Sequence, residues 1–198
     1  MGSAGEPTQV EAWFWKPQET LIEHSQRDFG SGNRRYEEWV ASGIIEATPG
    51  RAIDPGAVAL RIAELSKRYR VIGLAFDPWR INDLLREFDR IGLQAYQDGE
   101  KGTGLRLVAW GQGMKPMAPA IDALERAVME RTLIHGNNPL LNNHMANAVA
   151  RTDSSGNRKI DKSATRFRID GAVALAMLMG LQSRDRTAPP LDVSTLIF

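Results

Sequence analysis

The stretch Val71-Ile72-Gly73-Leu74-Ala75-Phe76-Asp77-Pro78 is a nearly continuous apolar run that ends in an acid and a proline. Such a run is typical of a strand that is buried on both faces of a sheet, so we predict a central strand at 71–76. Proline cannot donate to a ladder of backbone hydrogen bonds, and the strand should end before Pro78. Asp77 then follows the carboxyl end of the strand, where α/β folds place their functional groups.

Strands and helices alternate on either side of this run. Short β-branched or aromatic segments predict further strands, and apolar residues at helical spacing predict helices. The predicted strands lie at 10–15, 44–48 and 93–96, and the predicted helices at 19–27, 36–42, 55–69, 81–91, 117–131, 140–149 and 170–181. Asp54 is a good N-cap because Pro55 follows it, and the polar stretch 152–161 predicts a hairpin tip. The alternation indicates an α/β domain with one mixed sheet flanked by helices.

We place this domain at 10–181, between a flexible leader or tag at 1–9 and a C-terminal extension at 182–198. A length of 198 residues suits one domain with a proper core. The longest apolar run, 172–181, is too short to span a membrane, and the start of the chain lacks the features of a signal peptide. The absence of cysteine excludes disulfides and fits a reducing cytoplasm.

Net charge alone does not indicate a nucleic-acid binder, because 25 basic residues are balanced by 24 acidic ones. Any such site must come from the distribution of charge. One basic cluster precedes the last predicted helix, which begins at Asp170, and comprises Lys159, Lys162, Arg166 and Arg168. Carboxylates bind metal ions and cations can hold phosphates, so this combination indicates a phosphodiesterase-like site.

Both acids also have a purely structural explanation. Asp77 before Pro78 is typical of a turn. Asp170 is a good N-cap for the helix that it begins, and the cations before it are compatible with a solvated loop. The residue types and their order therefore leave a catalytic and a structural interpretation open at each acid.

Three other features offer no recognisable chemistry. The glycine-rich stretch 99–104 lacks the residue order of a phosphate-binding P-loop. Most of the five tryptophans suit core packing, although a base-stacking platform is the alternative. No zinc-binding spacing relates the histidines, for which surface or helix-capping roles are expected: His24, His135 and His144.

Five short strings carry a resemblance to a known family. They are WFWKP at 13–17, AFDPW at 75–79, GQG at 111–113, NAV at 147–149 and RIDG at 168–171. In this order and at this spacing they resemble the C-terminal nuclease domain of terminase large subunits from tailed phages and prophages. The resemblance covers about 10–180, nearly the whole chain.

The resemblance implies a ribonuclease H-like fold and a DNA endonuclease that uses two divalent ions, Mg²⁺ or Mn²⁺. Asp77 matches the acid that ends a central strand in the family, and Asp170 matches the acid that begins a late helix. Lys159, Lys162, Arg166 and Arg168 are then candidates for DNA binding. The implied partners are double-stranded DNA, the terminase ATPase domain, the small terminase subunit and the portal protein, in the host cytoplasm during phage assembly and without a membrane.

The beginning of the chain departs from the family pattern. The family carries a first strand with its own Asp before the segment that matches 10–15, whereas only nine residues precede Val10 here. We therefore expect an N-terminally truncated domain without the ATPase domain, an unpaired sheet edge beside 71–76, and weak metal binding. The alternatives are a catalytically incompetent fragment, a DNA- or portal-docking module, and another ribonuclease H-like nuclease such as a resolvase or integrase.

Overall fold

The computed structural model describes residues 7–79 and 81–185 and the backbone of 194–197. Most of the predicted leader and most of the predicted C-terminal extension lie outside these residues. The strands in the described part are β1 Thr8–Trp13, β2 Trp15–Pro17, β3 Glu46–Thr48, β4 Leu74–Phe76, β5 Ala95–Gln97, β6 Leu105–Ala109, β7 Leu133–Ile134, β8 Ala150–Thr152, β9 Arg158–Ile160 and β10 Ser194–Ile197. The α-helices are α1 Leu21–Phe29, α2 Arg35–Ala41, α3 Pro55–Arg68, α4 Ile81–Ile91, α5 Met114–Met129, α6 Pro139–Ala146 and α7 Asp170–Asp185.

The described residues form four small sheets rather than the single mixed sheet that the sequence predicts. β6 lies between β4 and β5, and β1 lies between β7 and β10, with every pairing parallel. β2 pairs with β3 in parallel, and β8 and β9 form the predicted hairpin. The Phe14 carbonyl accepts a hydrogen bond from the Glu46 amide (2.8 Å). The chain therefore changes strand partners at Phe14, which is why β1 and β2 belong to different sheets.

β4 differs from the prediction in length, burial and position. It covers Leu74–Phe76 only, its residues are half-buried, and in the described part of the chain it is an edge strand. The residues before it leave the ladder because the Arg106 guanidinium donates to the Ile72 carbonyl (3.2 Å). A Cβ atom on Gly73 would lie 3.1 Å from the same guanidinium, so a larger residue would crowd it. The predicted central strand at 71–76, buried on both faces, is wrong; among the described residues β4 pairs with β6 alone.

The central strand of this sheet, β6, is absent from the prediction. Leu105, Leu107 and Val108 are buried, while Arg106 between them forms an ion pair with Asp185 of α7. The strand is short and begins directly after the glycine-rich loop. Its five residues give too little alternation to separate it from that loop by pattern alone.

The other predicted helices and strands are confirmed, with ends shifted by a few residues. Asp54 caps α3 as predicted, because its carboxylate accepts a hydrogen bond from the Gly56 amide (2.8 Å). The predicted domain boundaries at 10 and 181 do not coincide with element ends. β1 begins at Thr8, within the predicted leader, and α7 continues to Asp185. β10 lies within the predicted C-terminal extension and pairs with β1.

α7 forms the centre of the main hydrophobic core. Nine of its residues are buried, and it packs along α5. The two helices approach closely because position 180 is a glycine: a Cβ atom there would lie 2.6 Å from Trp110 and 2.8 Å from Ala120. A smaller second core lies between α3, α4 and β6. Within the described residues no helix, α7 included, has the length and apolarity that a membrane crossing needs.

A buried carboxylate joins α1 to α2. Asp28 accepts hydrogen bonds from the Tyr36 hydroxyl (2.7 Å) and from Arg27 Nε (2.7 Å). The Ser25 hydroxyl also accepts a hydrogen bond from the Tyr36 amide (2.8 Å). Burial alone would raise the pKa of Asp28, but the hydrogen bonds from Arg27 and Tyr36 outweigh burial and lower that pKa. Asp28 is therefore a charged, satisfied group that fixes the position of Tyr36.

We predict that Tyr36→Phe lowers the free energy of unfolding by about 1.5–3 kcal/mol, because a buried carboxylate loses one hydrogen-bond donor. Arg34→Ala is the control, since Arg34 precedes α2, its side chain is mostly exposed, and its ion pair with Glu37 should add little to stability. Urea unfolding at pH 7 measures both variants. Equal effects of the two substitutions would show that the Asp28–Tyr36 hydrogen bond adds nothing to stability.

Candidate active site

Asp170 stands at the start of α7 and faces solvent, with 54% of its side chain exposed. Lys162, in the short 3₁₀ helix Lys162–Ala164, places its ammonium group 3.6 Å from the Asp170 carboxylate. The carboxylate of the buried Asp161 caps that 3₁₀ helix by accepting a hydrogen bond from the Ser163 amide (2.9 Å). It also forms an ion pair with Arg151 (3.3 Å). Asp161 is therefore structural, and it holds Lys162 beside Asp170.

The position of Asp170 depends on a close contact at the next residue. Gly171 donates its amide hydrogen to Nδ1 of the buried His144 (3.0 Å). A Cβ atom at position 171 would lie 2.7 Å from that nitrogen and 3.2 Å from the Phe14 ring, so only glycine fits here. His144 meets the Phe14 ring edge-on at 5.4 Å between ring centroids. A surface role for His144 is therefore wrong, whereas its capping role is confirmed.

Burial lowers the pKa of His144 from 6.5 to about 4, with the nearby Asp170 opposing that change. The hydrogen bond from Gly171 requires an unprotonated Nδ1, so the neutral ring carries its proton on Nε2. The neutral histidine thus links α6 to the first turn of α7.

Next to Asp170 lies an open pocket of about 600 Å³. Its titratable lining comes from β2, α1, α2, α4, α6 and the segment up to the start of α7: Lys16, His24, Tyr36, Asp83, His144, Arg168 and Asp170. Lys16 Nζ lies 3.7 Å from the centre of the Tyr36 ring and 3.4 Å from His24 Nδ1. Burial lowers the pKa of Lys16 to about 8, and Arg168 acts in the same direction. Lys16 is still mainly charged at neutral pH.

Asp77 lies in a turn after β4, as the structural interpretation of the sequence expects. Its carboxylate accepts hydrogen bonds from the Trp79 amide (3.0 Å) and from the side-chain amide of Gln112. Gln112 follows β6, the neighbouring strand, so two adjacent strand ends meet at Asp77. Trp79 is 80% exposed, whereas Trp15 and Trp110 belong to the core, as predicted for most tryptophans.

The predicted basic cluster divides into two parts. Lys162 and Arg168 lie beside Asp170, one as its ion-pair partner and one in the same pocket. Lys159 is on β9, and Arg166 stacks on the Phe167 ring at 4.9 Å. In the described part of the chain, no group of three or more His, Asp or Glu residues is arranged to hold a metal ion. Asp77 and Asp170 nevertheless offer the carboxylate oxygens that Mg²⁺ and Mn²⁺ prefer.

Sequence reasoning missed Lys16, His24 and Gln112 as functional candidates. Lys16 lies between the buried residues Trp15 and Pro17 of β2, an alternation that could have pointed to it. Gln112 belongs to one of the five strings, but no local pattern links it to Asp77, thirty-five residues away. His24 has no local signal, because its neighbourhood depends on how α1 packs.

An α/β domain with an acid at a strand end, an acid at a helix start and cations beside it is typical of enzymes that act on phosphodiesters. The family described as terminase large subunit, endonuclease domain, matches residues 15–185. The terminase large subunit of Enterobacteria phage HK97 is 38% identical over 186 residues, which cover 94% of this chain and 34% of that protein. The crystal structure of the HK97 bacteriophage large terminase aligns with a TM-score of 0.71 at 38% identity, covering 84% of this chain and 32% of that one.

The chain belongs to the terminase large subunit endonuclease-domain family, as the five strings predict. It spans about a third of the length of the HK97 relative.

The His144 contact predicts a pH dependence of stability. Between pH 6.5 and about 4 the unfolded chain binds a proton at this histidine and the folded chain does not. The free energy of unfolding should therefore fall by about 3 kcal/mol as the pH falls through this range. His144→Asn keeps an acceptor near the Nδ1 position but cannot be protonated, so its stability should lack this component.

Urea unfolding at several pH values without divalent ions measures the effect. Acid groups elsewhere titrate in both proteins, so the comparison isolates His144. Parallel pH profiles for the parent and His144→Asn would contradict the assignment of a neutral, buried acceptor.

Proposed function

We propose that this chain is a metal-dependent DNA endonuclease domain that cuts concatemeric genomic DNA during phage DNA packaging. The observation that carries the proposal is the convergence of Asp170, Lys162, Arg168 and Lys16 beside one pocket, in a chain of the terminase endonuclease-domain family. A carboxylate surrounded by cations can bind both a divalent ion and the phosphate that the ion activates. We also propose a ribonuclease H-like fold, which the parallel strands β4, β6 and β5 and the covering helix α7 support.

The direction of α7 supports a shared site for Asp77 and Asp170. Arg106, near the start of β6, pairs with Asp185, whereas Trp110, just past its end, contacts Gly180. α7 therefore runs opposite to the strands, and its first turn lies towards their carboxyl ends.

The distance along the chain from Gly73 to Asp77 indicates which residue of α7 lies beside Asp77. Leu181 lies 3.4 Å from the position that a Cβ atom on Gly73 would occupy. The four residues from Gly73 to Asp77 span about 13 Å of strand, which corresponds to about nine residues of helix. Asp77 is then level with about residue 172, within one helical turn of Asp170.

The proposed chemistry is hydrolysis of a DNA phosphodiester. Two divalent ions, Mg²⁺ or Mn²⁺, held by Asp77 and Asp170, would activate the attacking water and offset the charge on the leaving 3′ oxygen. Gln112 acts as a positioning residue, because it donates to one Asp77 oxygen and leaves the other to the turn amide. Lys162 and Arg168 hold the DNA backbone through its phosphates, which gives affinity with little dependence on sequence. Lys159 and Arg166 would extend these contacts along the strand.

The proposed partners follow from the same role. They are double-stranded DNA and other parts of the packaging machinery, namely the terminase ATPase domain, the small terminase subunit and the portal protein, in the cytoplasm of the host. The second candidate function is a catalytically incompetent module that docks DNA or the portal. The lack of a three-residue metal cluster among the described residues favours that candidate.

Substitution of the two acids tests the proposal. Asp77→Asn and Asp170→Asn should each abolish plasmid cleavage in Mg²⁺ or Mn²⁺ and weaken Mn²⁺ binding, measured by calorimetry, by about tenfold or more. DNA binding without metal should be retained or improved, because each change removes a negative charge that repels phosphate. Asp89→Asn is the control, since Asp89 is exposed on α4.

Calorimetry keeps the test decisive even if the parent chain cuts slowly. Unchanged Mn²⁺ binding in both variants, or cleavage by Asp170→Asn at the parent's rate, would reject the catalytic assignment. If the parent chain binds DNA but does not bind Mn²⁺ and does not cut DNA, the docking module is favoured.

A further inference from the structure

Three basic side chains converge on the pocket from separate elements. Lys16 comes from β2, His24 from α1 and Arg168 from the segment before α7, and all three line the pocket with Asp170. Lys16 Nζ and His24 Nδ1 are 3.4 Å apart. The pKa of His24 is lowered, first by burial and then by Lys16, Arg27 and Arg168, so positive charge from several elements acts at this point. Only Arg168 belongs to the basic cluster of the sequence.

Two of these three side chains, Lys16 and Arg168, are charged and have no ion-pair partner among the described residues. Among the residues that the structure describes, neither Lys16 nor Arg168 has a carboxylate oxygen within 4.0 Å. The nearby carboxylates have other partners: Asp28 is held by Arg27 and Tyr36, Asp83 by Arg86, and Asp170 by Lys162. Lys16 instead lies over the Tyr36 ring. A half-buried ammonium group without a counter-ion costs free energy, which an anion in the pocket would offset.

We propose that Lys16, His24 and Arg168 form a subsite for a backbone phosphate of the DNA strand beside Asp170. The inference rests on the proposed nuclease function and names residues that hold the substrate. Phosphate oxygens accept charge-assisted hydrogen bonds from ammonium and guanidinium groups, and the two groups here approach from different walls.

The remaining pocket wall suits the rest of a nucleotide unit. Ile53, Val58 and Leu84 provide apolar surface in the same pocket, whose lining also includes Asp83. The pocket volume of about 600 Å³ is within the usual range of small-molecule sites, so one sugar-phosphate unit fits while the duplex stays outside. Lys162 pairs with Asp170, which lines the pocket, so the subsite lies close to the cations proposed to follow the DNA backbone.

Lys16→Met tests the subsite, because methionine keeps the apolar stem and removes the charge. A labelled duplex and fluorescence anisotropy in EDTA, over a series of KCl concentrations, give the slope of log affinity against log salt. We expect Lys16→Met to weaken binding of unrelated sequences alike and to reduce that slope by about 0.9, the value for one phosphate contact. Lys16→Arg should retain the parent's slope.

Lys67→Met is the matched control. Lys67 is exposed near the end of α3, nine residues or about 14 Å along the helix from Val58 at the pocket. Lys67→Met removes the same charge as Lys16→Met and should leave the slope of log affinity against log salt unaltered. Arg168→Met supplies a second arm that does not risk the fold, because Arg168 is exposed, and it should reduce the slope as Lys16→Met does.

The outcomes separate the subsite from the nuclease proposal. A Lys16→Met slope equal to the parent's, with only a lower melting temperature, would show that Lys16 merely packs on Tyr36 and would overturn the subsite. Inorganic phosphate that competes with DNA for the parent but not for Lys16→Met supports it. Tight phosphate binding without DNA binding by the parent would overturn both proposals, whereas failure of Asp170→Asn to affect cleavage overturns the nuclease proposal alone.

Discussion

The contact between Gly171 and His144 is the constraint on which the site depends. Three buried groups meet there: the first turn of α7, the His144 ring from α6 and the Phe14 ring between β1 and β2. Because no side chain fits at position 171, the helix start cannot move away without losing its hydrogen bond to His144. The carboxylate of Asp170 is therefore exposed, yet it stands on a rigid base in the core. A carboxylate that binds a metal ion needs both this exposure and this fixed position.

Within the described part of the chain, some cations form ion pairs with carboxylates, whereas others have no such partner and could bind an anion. Asp28 is fully engaged by Arg27 and Tyr36, and this engagement fixes the ring over which Lys16 lies. A chain with almost balanced charge can thus place two cations without an ion-pair partner among these residues in one pocket, because the nearby carboxylates pair with other residues. The near-zero net charge of the sequence gives no hint of this arrangement.

Local chemistry made part of this structure predictable from the sequence. The Asp54–Pro55 helix start, the apolar helix α7 and the hairpin of β8 and β9 follow from capping, periodicity and turn residues, and the strings around Asp77 and Asp170 predicted the family correctly. The rest depends on tertiary contacts. β4 is short because the Arg106 guanidinium, thirty-four residues away, donates a hydrogen bond to the Ile72 carbonyl. The roles of Lys16 and His24 arise only when α1 and α2 pack beside β2, and no local pattern encodes that packing.

The central claim is that Asp77 and Asp170, on separate elements, serve one metal site. The most direct test is a crystal structure of the chain in Mn²⁺, with the ion located by its anomalous scattering. A shared site predicts one ion, or a pair about 3.5–4 Å apart, with oxygen ligands from both Asp77 and Asp170. An ion bound by only one of these carboxylates, with the other carboxylate on a different face of the domain, would contradict it.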